Sequence, residues 1–166
     1  VSEFVAREAD LDQLQQWQQE SDCRAIVLWG LAGVGKTTLA AKLLASQDLA
    51  SVPTGYLSLA AGTTDEYFLA AVAAWLRTLN PAAHLPDGDL LGWIMQQFGQ
   101  HRYFLLVDQL EVLFQPGQPT GTYRPGTGRI QQFFRQVAEQ LHQSLVVWVS
   151  REKPLAMSQL RGGQVR

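Results

Sequence analysis

The stretch Gly30-Leu31-Ala32-Gly33-Val34-Gly35-Lys36-Thr37 has the spacing G-x-x-x-x-G-K-[ST] and follows the apolar run Ala25 to Trp29. No other stretch restricts the fold so tightly. Glycines at this spacing let successive backbone N–H groups turn inward on a polyphosphate, and a helix starting near Lys36 adds the positive end of its dipole. The motif therefore requires a strand, a tight turn and a helix in that order. The flanks comply: Ile26-Val27-Leu28-Trp29 is a β-type run, and Leu39, Ala40, Leu43 and Leu44 recur at helical spacing. An ordinary Gly-rich turn that matched by chance would not need them. On this reading Gly33, Val34 and Gly35 cradle phosphate, Lys36 reaches the β- and γ-phosphates, and Thr37 holds Mg²⁺ through its hydroxyl. Thr38 adds a second hydroxyl nearby.

A P-loop of this kind needs an acidic partner, expected at the end of another buried strand. Arg102-Tyr103-Phe104-Leu105-Leu106-Val107-Asp108 is too apolar to face water on either side, which suits a central parallel strand ending in a carboxylate. Asp108 fits the Walker-B position beside Mg²⁺, against the alternative of a turn or helix-capping aspartate. Glu111, three residues on, suits either a general base for water or an ordinary first-turn glutamate. The catalytic acid of such ATPases directly follows the Walker-B aspartate, where this chain has Gln109. Arg151 ends the run Leu145 to Ser150, and its planar fork would bind the γ-phosphate bidentately or simply be solvated. The chain has D-x-x-E where a GTPase would show D-x-x-G, and it has no N-K-x-D, so ATP or ADP is expected over GTP.

Between these motifs strands and helices alternate, which argues for an α/β fold with a mostly parallel sheet and helices on both faces. Ala9 to Glu20 carries Leu11, Leu14 and Trp17 at helical spacing. Thr54 to Leu59 reads as a strand, and Thr63 to Glu66 as the capping box of a helix with Phe68, Leu69, Val72, Leu76 and Leu79 on its apolar side. A further helix opens at Pro86-Asp87-Gly88-Asp89 and stops at Gly99. Ile130, Phe133, Phe134, Val137 and Leu141 mark another. Gln115 to Gly128 holds four glycines and three prolines in fourteen positions and reads as a mobile surface loop, with a gate beside the site as the alternative.

At 166 residues the chain is about one domain long. Its net charge of −2 and pI near 5.9 give no broad electrostatic footprint for nucleic acid or an anionic membrane. No run approaches the roughly 18 apolar residues of a membrane span, no signal peptide opens the chain, and the expected compartment is the cytoplasm. Cys23, the single cysteine, excludes an internal disulfide framework and reads as a small buried residue. The first residue is valine and the sequence ends soon after a strand, so a piece of a longer protein is expected. We divide it into an N-terminal strap at 1–22 and a P-loop core at 23–166.

Taken in order, Phe4-Val5-Ala6-Arg7-Glu8, Trp29 to Ala40, and Leu106-Val107-Asp108-Gln109-Leu110-Glu111-Val112-Leu113-Phe114 resemble the STAND class of P-loop ATPases. The last segment looks most like the D-Q-F-E-E-L-F signature of a bacterial novel-STAND group, with Leu110 for Phe and Val112 for the second Glu. This resemblance implies a three-layer P-loop NTPase fold related to AAA+ cores, with an extra strand, Leu145 to Ser150, between the P-loop and Walker-B strands. It implies Val5 and Arg7 as contacts on the adenine and ribose side, with Ala6 in place of the usual glycine, and Arg151 as the γ-phosphate sensor. It implies ATP/ADP and Mg²⁺ as cofactors, slow hydrolysis as a timer, and homo-oligomers on activation. The helical lid and winged-helix domain of the class do not fit after Arg151, and effector and sensor domains would lie outside this chain. The other readings are a protein-interaction module that binds nucleotide with little hydrolysis, and an AAA+-type remodelling or DNA-loading ATPase.

Overall fold

Strands that are apolar at odd and even positions alike can be accommodated only in a sheet covered on both faces. The computed structural model, which describes residues 8–19, 23–46 and 51–155, shows such a sheet. Four strands, β1 (Ala25–Trp29), β2 (Thr54–Ser58), β3 (Phe104–Asp108) and β4 (Leu145–Ser150), lie in the order β1-β4-β3-β2. All neighbours are parallel. The last strand in sequence therefore sits between the P-loop strand and the strand that ends in Asp108, as the resemblance implied.

Alternation along each strand divides the core between two layers of helices. Ala25, Val27, Leu105, Val107, Val146 and Trp148 pack under α3 (Asp65–Leu79), α4 (Leu90–Gln100) and α5 (Gly128–Glu139). Ile26, Phe104, Leu106, Val147 and Val149 pack under α1 (Glu8–Gln19) and α2 (Lys36–Leu44), joined by Leu14, Leu39 and Leu43. Cys23 is buried with this second group. In the first layer the Trp148 ring lies 5.3 Å from Phe134, 5.8 Å from Phe133 and 6.1 Å from Phe68. Rings at such separations add specific edge and offset contacts to the area they bury.

Several local readings of the sequence are corrected. The cap of α3 is Thr64, whose hydroxyl accepts from the Tyr67 N–H at 3.2 Å. Thr63 is turned the other way, donating to the Ala60 carbonyl and accepting the Ala60 N–H, so the Thr63 to Glu66 box does not form. Gly99 does not stop α4, which is capped at its start by Asp89 and runs on to Gln100. Leu79 is exposed at the end of α3, and Leu141 lies beyond α5 with 87% of its surface in water. The glycine-rich segment after Phe114 is a surface loop, exposed throughout residues 115–120, as its composition predicts, but it is tied down at several points. Phe114 bridges to Tyr123, Gly121 and Thr127 are buried, and the Arg124 guanidinium donates to the Thr63 carbonyl. Gly128 already belongs to α5.

The start of α5 is capped from a distance. Thr127 precedes it without a side-chain cap, and the buried Asp65 carboxylate of α3 instead accepts the N–H groups of Arg129 at 2.9 Å and Ile130 at 3.0 Å.

Candidate functional site

Because all four strands run the same way, their C-terminal ends emerge at one edge of the sheet. Register places Trp29 beside Ser150 and Ser58 beside Asp108, which brings the P-loop, the end of β3 and Ser150-Arg151 to one edge. A cleft of about 250 Å³ opens there, lined by Gly33, Lys36 and Thr37 on one side and Asp108, Gln109, Glu111 and Arg151 on the other.

Gly33 and Gly35 have φ of 78° and 83°, the left-handed region that only glycine enters without strain, and Gly35 turns directly into α2. The Lys36 ammonium folds back over the loop and donates to the carbonyls of Gly30 at 2.7 Å and Leu31 at 2.8 Å. The Thr37 hydroxyl donates to Oδ2 of Asp108 at 3.0 Å, across 71 positions of sequence. Thr38 is exposed one position further on, and Val34 is exposed on the rim of the loop.

Asp108 is held from three directions. Its Oδ1 accepts the Gln109 N–H at 2.7 Å, while Oδ2 accepts the Tyr56 hydroxyl at 3.3 Å besides Thr37. Burial, followed by the Asp108 charge, pushes the Tyr56 phenol above its ordinary value. Gln109 has φ of 63°, and its side chain donates to the Ser58 hydroxyl at 2.9 Å. Tyr56 and Ser58 escaped the sequence reading. They share the β2 face opposite Leu57, so alternation along β2 was the signal that places them beside β3 on the α2 side.

Glu111 stands at the first turn of a 3-10 helix, Leu110–Leu113, anchored by buried Leu110 and Leu113. Its Oε1 lies 3.0 Å from Nε of Arg151, and its Oε2 accepts the Arg151 backbone N–H at 3.1 Å. Of the residues singled out from sequence, Gly33, Val34, Gly35, Lys36, Thr37, Thr38, Asp108, Glu111 and Arg151 thus gather at one edge of the sheet. Val5 and Arg7 lie outside the described residues. A second pocket of about 380 Å³ borders the P-loop between α1 and β1, with Asp10, Gln13 and Trp17 facing Trp29, Val34 and Lys153. Lys153 Nζ sits 5.8 Å over the Trp29 ring.

The oxygen donors suit a hard cation. Among the described residues no cluster of three or more His, Cys, Asp and Glu could cage a metal. A Mg²⁺ shared with phosphates needs only one or two protein oxygens, and the Thr37 hydroxyl and Asp108 carboxylate supply them side by side. No helix among the described residues is long and apolar enough to cross a membrane.

Comparison with known proteins agrees with the fold. Residues 18–149 match the protein family described as AAA domain. The chain is 31% identical, over 98% of its length, to an uncharacterised WD repeat-containing protein of Nostoc sp., and spans 14% of that relative. Among solved structures it resembles the Orc1 protein of Aeropyrum pernix in complex with DNA, with a TM-score of 0.55 at 19% identity. That likeness covers 93% of this chain and 40% of the other.

Proposed function

The chain belongs to the AAA domain family, and from that premise we propose that it is the ATP/ADP-binding core of a STAND signalling ATPase, a nucleotide-controlled switch with slow hydrolysis. The observation that carries the proposal is the hydrogen bond from the Thr37 hydroxyl to Asp108, which joins the P-loop helix to the strand-end carboxylate. Neither residue has a reason in core packing to be there.

In this reading the P-loop N–H groups and the start of α2 bind the phosphates. Lys36 exchanges the two loop carbonyls it now holds for β- and γ-phosphate oxygens. Thr37 and Asp108 hold Mg²⁺, with Tyr56 and the Gln109 N–H keeping the carboxylate in place. Bound there, the ion would offset charge on the phosphates. Arg151 answers to the γ-phosphate. Val5 and Arg7 are kept as base-side contacts, and they precede in sequence the α1 residues Asp10 and Gln13 that line the pocket beside Trp29. The repeat-containing character of the Nostoc relative supports the view that a sensor array accompanies such a core. Effector and sensor domains would lie outside residues 1–166, the compartment would be the cytoplasm, and activated protomers would assemble with copies of themselves.

A second reading, a nucleotide-dependent interaction module with little turnover, is favoured by one feature. Both oxygens of Glu111 are already engaged by Arg151.

The test of the first reading is titration with ATP, ADP and GTP, each with Mg²⁺, following the emission of Trp29, which is 54% exposed beside the P-loop. The W29F variant identifies its share of the signal. Adenine-selective saturable binding, weakened about 100-fold or more in K36A, is expected from loss of a charge-assisted phosphate contact. Failure of every nucleotide to bind the intact chain would overturn it.

A further inference from the structure

We propose that Glu111 is a positioning residue that holds Arg151 toward the γ-phosphate, rather than the carboxylate that activates water. This rests on the reading of Arg151 as the group that senses ATP.

The geometry begins with Gln109. Its left-handed backbone, φ 63°, turns the chain sharply at the end of β3, and buried Leu110 and Leu113 fix the 3-10 helix that follows. Glu111 is thereby aimed across the sheet edge at the end of β4. One carboxylate oxygen takes Nε of Arg151 at 3.0 Å and the other takes the backbone N–H of the same residue at 3.1 Å. A general base needs a lone pair open to the water that it deprotonates. Here each oxygen keeps a second lone pair, but both are held in place by one residue, so the orientation of the carboxylate is tied to Arg151 and not to a water.

Exposure assigns the roles within the pair. The Glu111 side chain is 17% exposed and that of Arg151 66%, so the carboxylate is the fixed support and the guanidinium the presented group. A grip on Nε leaves the terminal nitrogens outside the contact, and those form the fork that pairs with two phosphate oxygens. Charge points the same way. An unpaired carboxylate lining a polyphosphate cleft would repel its ligand, whereas paired with Arg151 it adds no net charge there. Removing Glu111 should then act through Arg151, on discrimination between ATP and ADP.

The experiment compares R151A, E111A, E111Q, R151K and the double variant R151A/E111A in the full chain. Affinities for ATP and ADP are measured by the Trp29 signal, and the rate at saturating ATP by single turnover. R151A and E111A should each lower the ATP-over-ADP preference about tenfold with ADP affinity little changed, the size of one lost charge-assisted contact. The double variant should be no worse than R151A, because the two act as one unit. E111Q keeps an acceptor for Nε, so it should recover part of the preference and slow turnover no more than R151A does. R151K, which has no Nε to be gripped, should behave like R151A. A loss of turnover of about 100-fold or more in E111Q with the nucleotide preference intact would make Glu111 the base and overturn the proposal. Additive losses in the double variant would also overturn it. An unchanged preference in R151A would remove the sensing reading itself, a result that can be told apart because it does not involve Glu111. Should E111A fail to fold by circular dichroism, E111Q and R151K decide alone.

Discussion

Replacing Asp65 should unfasten α5 although the two are 64 positions apart in sequence. Its carboxylate accepts the first N–H groups of that helix, from Arg129 at 2.9 Å and Ile130 at 3.0 Å, and Asp65 is 8% exposed. Thr127, where a cap would be expected, makes no side-chain cap and donates its hydroxyl to the Arg124 carbonyl instead. D65A therefore leaves two helix-start donors without a partner, at about 1–3 kcal/mol each where water cannot reach. It also removes a negative charge from the positive end of α5, worth a further 0.3–1 kcal/mol or so. Water will satisfy part of the loss at Arg129, which is exposed, so the expected cost is about 3 kcal/mol. D65N keeps one acceptor oxygen and should cost roughly half of that. For a domain of this size 3 kcal/mol corresponds to a fall in Tm of about 6–12 °C. Urea unfolding is the assay, because a lower midpoint at unchanged slope reports stability alone. T64A, which removes the local cap of α3, serves as a scale and should cost about 1 kcal/mol. Nucleotide affinity of the folded D65A protein should be unchanged, since α5 lies on the sheet face away from α2. A D65A midpoint within about 0.5 kcal/mol of wild type would show that α5 does not depend on this cap, and would refute the reasoning.

T37A should weaken nucleotide binding mainly in the presence of Mg²⁺, by about tenfold, whereas K36A weakens it with or without the ion; calorimetric titrations with and without a chelator separate the two. G55A should be destabilising by about 1–3 kcal/mol, because a Cβ there would lie 2.6 Å from the Trp75 ring; a change in Trp75 emission and a lower urea midpoint would report it. His142 should set an acid limb to stability. Its burial, with the Arg24 charge adding to it against the Val137 carbonyl, holds the imidazole below its ordinary 6.5. The unfolded chain then takes up a proton before the folded one, so this contribution is complete above pH 6.5 and is lost as pH falls from there toward the lowered folded value. H142Q should flatten that limb in unfolding midpoints measured between pH 7 and pH 5, where an unaltered slope would assign it to other groups.

Much of the fold was legible because its determinants are local in sequence. Three strands are apolar runs with no polar interruption, which is what burial on both faces demands, and the P-loop states its own strand, turn and helix. The corrected points share a different character. Thr63 and Thr64 are equally good caps by type, and what decided between them was the tie of Thr63 back to Ala60. Gly99 costs helix propensity, yet α4 is held through it by Phe98, which is fully buried. The segment after Phe114 has the composition of a loop, but its order comes from long-range partners. Gly121 donates its N–H to the Glu152 carboxylate and accepts the Leu155 N–H, so close to the chain after β4 that a Cβ would strike the Lys153 carbonyl. At the site, type and spacing were enough to expect Lys36, Thr37 and Asp108 at one edge of the sheet, where they lie. They could not show that Glu111 and Arg151 face one another, since that depends on the twist of the chain at Gln109, a residue whose type gives no hint of a left-handed backbone.

The same contacts bound how strong a switch this domain can be. On the proposed reading ATP and ADP differ by what the γ-phosphate reaches: the Lys36 ammonium, the ion shared by Thr37 and Asp108, and the outward edge of Arg151. Each charge-assisted contact contributes about 1.5–3 kcal/mol, but none is formed from nothing. Lys36 must leave the carbonyls of Gly30 and Leu31, and the Thr37 hydroxyl must leave Asp108. Arg151, already held by Glu111, gives up little, which leaves a net preference of about 3 kcal/mol, or roughly 100-fold in affinity. Were those contacts made in only one of two states, a preference of that size would carry the equilibrium from about 1:10 to 10:1, whereas a swing from 1:99 to 99:1 requires about 10⁴-fold. The core by itself should therefore respond in a graded way to the ATP-to-ADP ratio. An all-or-none response would have to draw on contacts made elsewhere, by further domains or by several protomers coupled together. The ratio of ATP to ADP affinity in the isolated chain sets the ceiling on this shift, and a value of 10⁴ or more would show that the site holds discriminating contacts beyond these three.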